Sequence, residues 1–354
     1  MRERAGGAPL RVVMLTTSWP RDDGDYAGRF LVNQVRELER AGVEVEVLAP
    51  GRGFNDHGLA YGAGVVANAK RRPWKVPLML WSMLRSLRRA AKRADVVHAH
   101  WLLVSPIAAL AGKPFVLTLH GSPSAGRFED LELAKRHTRI FHWLVTRPRV
   151  VIGVSQPLAD AAAGGGANAV VIPHGVHVPE PRTEPTGTPV VLFAGRLAPE
   201  KGVHVLAEAL EGVDGIEMVV AGDGPLRDLF PDALGFVPHA ELHELYAKAS
   251  MLVLPSFGEG FGVVAMEAMS HGVPVIASTA GGLGWVIEDD VSGIVVTPGD
   301  VEGLRAAIVR LRDDRDLRAR YGAGGRERSR ERFGWDEVNA RTIAAYEQAL
   351  ELAR

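Results

Sequence analysis

Short apolar, β-branched runs alternate along this chain with segments in which apolar residues recur at helical spacing. "LRVVMLTT" (10–17) predicts a strand. "AGRFLVNQVRELERAG" (27–42) places Phe30, Val35 and Leu38 on one stripe and stops at Gly42, which predicts a helix with a glycine stop. "VEVEVLAP" (43–50), "DVVHAH" (95–100), "PFVLTLH" (114–120), "VVIGVS" (150–155) and "AVVIP" (169–173) continue the series of strands. Such alternation builds right-handed βαβ units and a parallel sheet. "PHGVHVPEPRTEPTGTP" (173–189) then holds five prolines and no periodicity, so it predicts an interdomain linker. Beyond it the pattern restarts with strand "VVLFAG" (190–195), helix "KGVHVLAEALEG" (201–212) and strand "IEMVVAG" (216–222). The expected fold is α/β, with two doubly wound Rossmann-like domains, 1–180 and 181–333, facing across a cleft. A last amphipathic helix, 334–354, is expected to pack back toward the N-terminal domain. Ligands of open parallel sheets sit beyond the carboxyl ends of the strands, so the cleft is the expected site.

A chain of 354 residues that is 47% hydrophobic has ample core for two domains of ~100–200 residues each. It has no cysteine, which excludes disulfides and thiolate metal sites. The N-terminal "MRERAGGAPLRVVML" shows no signal-peptide stretch, and the longest membrane-like run, "VPLMLWSML", is far short of the ~20 apolar residues a span needs. A cytoplasmic protein is expected. The net charge of −1 hides an asymmetry: residues 1–180 carry 24 Lys+Arg against 15 Asp+Glu, and residues 181–354 carry 17 against 27.

Four stretches carry candidate chemistry. In "GRLAPEKG", Gly195 permits a tight exit from a strand, and Arg196 and Lys201 flank a helix start. Two cations beside exposed backbone N–H groups suit a diphosphate, although a solvated surface pair reads the same way. In "VVAGDGPLRDL", Gly222 and Gly224 form either a nucleotide-facing turn or an ordinary βα turn. "MLVLPSFGEGFGVVAMEAMSHG" predicts a buried strand, a glycine-rich loop and a helix. Glu259 lies in that loop and Glu267 about one turn into the helix. The amides of Phe261, Gly262 and Val263 lie at its N-terminus, where an anion is favoured. A carboxylate matches the two hydroxyls of a ribose, and the apolar flanks of Glu267 imply burial with a partner rather than a surface helix position. On the strand "DVVHAHW", His98 and His100 share a face and Trp101 follows. Acceptor contacts or packing explain them better than a metal, which needs more ligands. "DGD" (23–25) mimics a metal-binding pattern but lies in the first loop and is discounted.

The ordered set "GRLAPEKG", "AGDGP", "LGFVPHAELHELYAKASMLVLPSFGEGFGVVAMEAMSHGVPVIASTAGG" and "VSGIVV" resembles the C-terminal domain of the retaining family-4 glycosyltransferases of GT-B fold. The resemblance extends through "SWPRDDGDYAGRF", "DVVHAHW", "LTLHGS" and "GVS" to nearly the whole chain. It implies that Arg196 and Lys201 bind the donor diphosphate, that Glu259 holds hydroxyls of the donor sugar beside the amides of Phe261, Gly262 and Val263, and that Glu267 takes the ribose. It also places His120 at the reaction centre and Gly28 in a loop near donor and acceptor. The implied reaction moves a sugar from a nucleoside-diphosphate sugar to a glycan, lipid-linked or small-molecule acceptor with retention. Same-face attack, with the leaving phosphate taking the acceptor's proton, is favoured over a covalent route through Glu259. No metal, cofactor or nucleic acid is expected. Departures at "DGDYAG", at "PHG" (His174 where the family usually has asparagine) and at Trp285 (where an acid is frequent) bear on sugar and acceptor rather than on the family. The rival classes are a GT-B sugar-nucleotide epimerase and a catalytically silent glycan-binding module.

One segment stands outside this set. "KRRPWKVPLMLWSMLRSLRRAAKRA" (70–94) is basic, and no acidic residue occurs from His57 to Ala94. Leu78, Trp81, Leu84 and Leu87 predict an amphipathic helix. Its basic face is either simply solvated or a peripheral contact with anionic membrane.

Overall fold

The computed structural model describes residues 8–21, 28–61, 65–121, 123–124, 127–128 and 138–354. The discounted Asp23-Gly24-Asp25 pattern lies outside them. Seven strands form the first sheet: β1 (Leu10–Leu15), β2 (Val43–Pro50), β3 (Gly53–Phe54), β4 (Val96–His100), β5 (Phe115–Leu119), β8 (Val150–Gly153) and β9 (Ala169–Val171). A two-residue antiparallel pair, β6 (Pro123–Ser124) and β7 (Arg127–Phe128), lies apart from it. The order across the first sheet is β3-β2-β1-β4-β5-β8-β9, parallel throughout, with Met14 opposite both Val47 and His98. The second sheet is also parallel. It comprises β10 (Val190–Ala194), β11 (Glu217–Ala221), β12 (Met251–Leu254), β13 (Val275–Ser278) and β14 (Gly293–Val296), in the order β11-β10-β12-β13-β14.

Each sheet reverses its winding once, between β1 and β4 and between β10 and β12. These are the crevices in which open α/β sheets bind ligands. The core strands are buried on both faces, which explains their near-continuous apolar sequence.

Helix Arg29–Arg40 buries Leu31, Val35 and Leu38, an i, i+4, i+7 stripe. Phe30 is one residue off that stripe. It is only partly buried and points instead toward His120 and His174, with ring centroids 5.1 and 4.5 Å away. Helix Val76–Ala91 buries Met79, Met83 and Leu87; of the expected stripe Leu87 is buried and Leu84 packs partly on the core, whereas Leu78 and Trp81 are exposed.

The proline-rich segment crosses between the sheets, and its second half is fastened to the C-terminal domain. Arg182 donates to the carbonyls of Tyr246, Ala247, Ala249 and Gly272, and Glu184 accepts from Arg318 at 2.7 Å. Helix Arg315–Phe333 leads into helix Trp335–Glu351, which lies on the first sheet and shares a core with Val12, Met14, Leu31 and Leu38. Val176 N–H donates to the Phe333 carbonyl at 2.8 Å where the two crossing segments pass.

Candidate active site

The C-terminal wall of the cleft is built at the β10/β12 switch point. β10 ends into Gly195 and Arg196, and Lys201 closes the short helix Pro199–Lys201. β12 leads into the glycine-rich loop that carries Glu259, and helix Val263–Ser270 begins behind it. Lys201 Nζ is ion-paired with Glu259, and Arg196 with Glu200, so each cation rests on a carboxylate. Arg196 is largely exposed, whereas Lys201 and Glu259 are each 20% exposed. Gly222 and Gly224 are explained by loops packing on loops. A Cβ at Gly222 would stand 1.9 Å from the Gly195 carbonyl oxygen, and one at Gly224 2.4 Å from that of Leu197. Phe261 is buried, and Gly262 and Val263 open the helix at its side of the cleft.

Glu267 is buried and hydrogen-bonded, as its apolar flanks required. It accepts from His239 Nε2 at 2.8 Å and from the Tyr246 hydroxyl at 3.1 Å. The bond to Glu267 raises the pKa of His239, and burial followed by the Glu267 charge raises that of Tyr246. Neither partner was singled out from the sequence. The available signal was the apolar helix around Glu267, which demanded a polar partner without saying which one.

The N-terminal wall is built at the β1/β4 switch point and beside it. Gly28, at φ 69°, sits so close to the first loop that a Cβ would lie 2.4 Å from the Ser18 carbonyl oxygen. His120 follows β5. Its Nε2 is 2.9 Å from His100 Nδ1, and its ring stacks on His174 at 5.2 Å and 11°. His174 in turn meets Phe261 edge-on across the cleft at 5.1 Å. Burial, reinforced by neighbouring imidazoles, holds the pKa values of His100 and His120 well below the ordinary histidine value. Burial alone lowers His98 to about 3.

His98 is set apart from any acceptor. It is fully buried, and both its ring nitrogens are taken, by the Tyr346 hydroxyl and Thr118 Oγ1, each at 2.7 Å. His100 and Trp101 differ. His100 Nε2, Trp101 Nε1 and His120 Nδ1 are buried polar atoms without a hydrogen-bond partner among the described residues. Trp101 also holds a left-handed backbone, φ 79°, which costs a non-glycine residue on the order of 1–3 kcal/mol and is typical of functional sites.

The two walls touch. A Cβ at Gly260 would stand 2.1 Å from the His120 carbonyl oxygen, and Ser155 Oγ donates to the Gly260 carbonyl at 3.2 Å. Glycine at 260 thus lets the Glu259 loop reach the His120 loop. Among the described residues, no group of three or more His, Asp or Glu side chains is arranged to hold a metal.

Two parallel-sheet Rossmann-like domains joined in this way define a GT-B protein. The sequence matches the family models of the glycosyl transferases group 1, over residues 178–328, and of glycosyltransferase family 4, over residues 27–179. It is 30% identical to a glycogen synthase of Mycobacterium tuberculosis, covering 95% of this chain and 94% of that protein. It is 31% identical to an MMP alpha-(1->4)-mannosyltransferase of Mycolicibacterium hassiacum over 75% and 74% of the two chains. The fold matches the sucrose-phosphate synthase of Thermosynechococcus elongatus with a TM-score of 0.77 at 21% identity, over 98% and 100% of the chains. It also matches Anabaena HepE in complex with UDP-glucose with a TM-score of 0.70 at 22% identity, over 95% and 100%. The chain belongs to the group 1, family 4 glycosyltransferases and is an enzyme of that class.

Proposed function

We propose that the protein transfers a glycosyl group from a nucleoside-diphosphate sugar to a hydroxyl acceptor with retention at the anomeric carbon, in the cytoplasm. One observation carries this reading: the Gly260–His120 backbone contact brings the loop of Glu259, which is paired with Lys201, against the loop that carries His120, a neutral imidazole with a free ring nitrogen. Arg196 and Lys201 leave their carboxylates for the diphosphate, and the N-terminus of helix Val263–Ser270 adds its field. Glu259, released from Lys201, accepts from sugar hydroxyls. Glu267 takes the ribose diol, exchanging its bonds to His239 and Tyr246 for bonds to the ligand. The UDP-glucose complex of the HepE structure supports a donor of this kind.

In the transfer, the C1–oxygen bond to the diphosphate breaks as the acceptor oxygen bonds C1 from the same face. The acceptor's proton passes to the departing phosphate oxygen. Negative charge grows on the diphosphate, so Arg196, Lys201 and the helix amides bind the transition state more tightly than the ground state. No resident metal is assigned, because the two cations take the neutralising role. His100, Trp101 and His120 offer three unused polar atoms to neutral hydroxyls, on a glycan, lipid-linked or small-molecule acceptor.

Incubation with a panel of nucleotide sugars tests this. Slow release of one nucleoside diphosphate, speeded by an acceptor and giving a product of unchanged anomeric configuration, is the expected result. Isomerised sugar would make the protein an epimerase. Binding without turnover of any donor would make it a glycan-binding module.

A further inference from the structure

Helices Val76–Ala91, Ser105–Ala109 and Thr138–Val145 lie side by side on one face of the first sheet. Their inner sides supply the core: Met79, Met83, Leu87, Ile107, Phe141 and Leu144 are buried. Their outer sides are unusually apolar for a solvated surface. Trp74 is 67% exposed, Leu78 50% and Trp81 63%. Leu103, Ile140 and Trp143 are exposed on the neighbouring segments. Large apolar side chains left exposed on adjoining helices of one face mark an interaction surface.

The described residues of these three helices carry charge of one sign. No Asp or Glu occurs between Asp56 and Asp95, none between Asp95 and Glu129, and none from Thr138 to Ala159. Trp74, Leu78, Trp81, Arg85, Arg88 and Lys92 follow one another at steps of four and three, a single exposed stripe, aromatic at its start and basic at its end. The Arg85 guanidinium lies 5.5 Å from the Trp81 ring centre and that of Arg147 4.1 Å from the ring centre of Trp143, so cations rim the aromatic rings.

We propose that this three-helix face seats the N-terminal domain on an anionic lipid bilayer, with Trp74, Leu78 and Trp81 entering the headgroup boundary and the arginines meeting lipid phosphates. Apolar side chains with tryptophans at their edge and a basic rim are the pattern of an interfacial helix. Nucleic acid fits less well, since it has no use for exposed Leu78, Leu103 and Ile140. The acidic C-terminal half is repelled by the same surface, which orients the molecule. Helix Val76–Ala91 returns from the carboxyl edge of the sheet toward β4, so its aromatic end stands at the edge that bears His100, Trp101 and His120. A lipid-linked acceptor held in the bilayer then reaches the cleft directly. This last step, unlike the membrane contact, rests on the transferase reading above.

Co-sedimentation of the full chain with vesicles of phosphatidylcholine, with and without phosphatidylglycerol, tests the contact. The expected result is pelleting on phosphatidylglycerol vesicles that weakens steeply with salt. Trp74→Ser with Trp81→Ser should reduce it roughly tenfold or more, and Arg85→Glu with Arg89→Glu should do likewise, all at unchanged far-UV spectrum and unchanged nucleotide-induced thermal shift. Absence of pelleting at low salt, equal pelleting on neutral vesicles, or undiminished pelleting of both double variants would overturn it. So would a wild-type dimer in light scattering that the tryptophan variant abolishes, or tighter capture of a labelled oligonucleotide than of vesicles. Nucleotide release from a soluble donor is unaffected in every case, so failure of the membrane contact is distinguishable from failure of the transferase reading.

Discussion

The two walls of the cleft solve opposite electrostatic problems. On the C-terminal side the groups are charged and compensated: Lys201 with Glu259, Arg196 with Glu200, Glu267 with His239 and Tyr246. On the N-terminal side four histidines, His98, His100, His120 and His174, are clustered, and burial holds their rings neutral. A charged ligand can displace one ion pair for another at little loss, so the first wall is suited to a diphosphate. A neutral acceptor hydroxyl brings no charge to compensate and can be met by unpaired neutral donors and acceptors, which the second wall supplies. The contrast explains why one half of the site is written in Arg, Lys and Glu and the other in His and Trp.

The sharpest way to break this contrast is to remove a cation. Arg196→Ala and Lys201→Ala should each lower kcat on the order of 10²–10³-fold, as for loss of one transition-state donor. Near-full turnover of both would remove the diphosphate from this wall.

Next is the contact between the walls. Gly260→Ala puts a methyl 2.1 Å from the His120 carbonyl oxygen and so holds the loops apart. Since displacing reacting groups by 1 Å can cost on the order of 10²-fold, kcat should fall about that much while nucleotide binding, read by thermal shift, changes little. Equal loss of both would show that the loop itself, not its approach to His120, was damaged.

A third test concerns the neutral wall. The folded-state pKa of His98 is lowered from 6.5 to about 3, and those of its neighbours are lowered too. Between those values the unfolded chain binds protons that the folded chain refuses, so stability is full above pH 6.5 and lost as the pH falls. For His98 the loss should approach about 2 kcal/mol at pH 5, and its neighbours act in the same direction. Melting temperatures measured from pH 7.5 to 5 should decline, and less steeply in His98→Gln. A flat profile would mean that the imidazoles are not buried neutral.

The smallest effect is expected at Glu267→Gln, which keeps the shape and removes the charge. Affinity for the nucleoside diphosphate should drop roughly tenfold with kcat nearly retained, since binding uniform to ground and transition states is lost. Titration calorimetry checks it, and an unchanged Kd would move the ribose elsewhere.

Much of this molecule is legible in short stretches of its sequence. Strand–loop–helix periodicity announces both parallel sheets, and the positions of Glu259 and Glu267 on a loop and the helix behind it follow from eight residues of spacing. Those are local properties: a β-branched run, a glycine turn and an apolar helix need no distant partner to be recognised. Partner choice is different. Lys201 meets Glu259 across 58 residues, His239 meets Glu267 across 28, and His98 meets Tyr346 across 248. Nothing in the spacing of those residues selects one pairing over another. The stripe of helix Arg29–Arg40 holds at Val35 and Leu38 and differs at one member for the same reason: both Phe30 and Leu31 are apolar, and only the packed sheet determines which of them is turned into the core and which toward His120 and His174. The sequence alone thus determined which elements form and in what order. Which side chains share a site was decided by tertiary packing, because burial and hydrogen-bond satisfaction act between segments that the chain brings together only once it has folded.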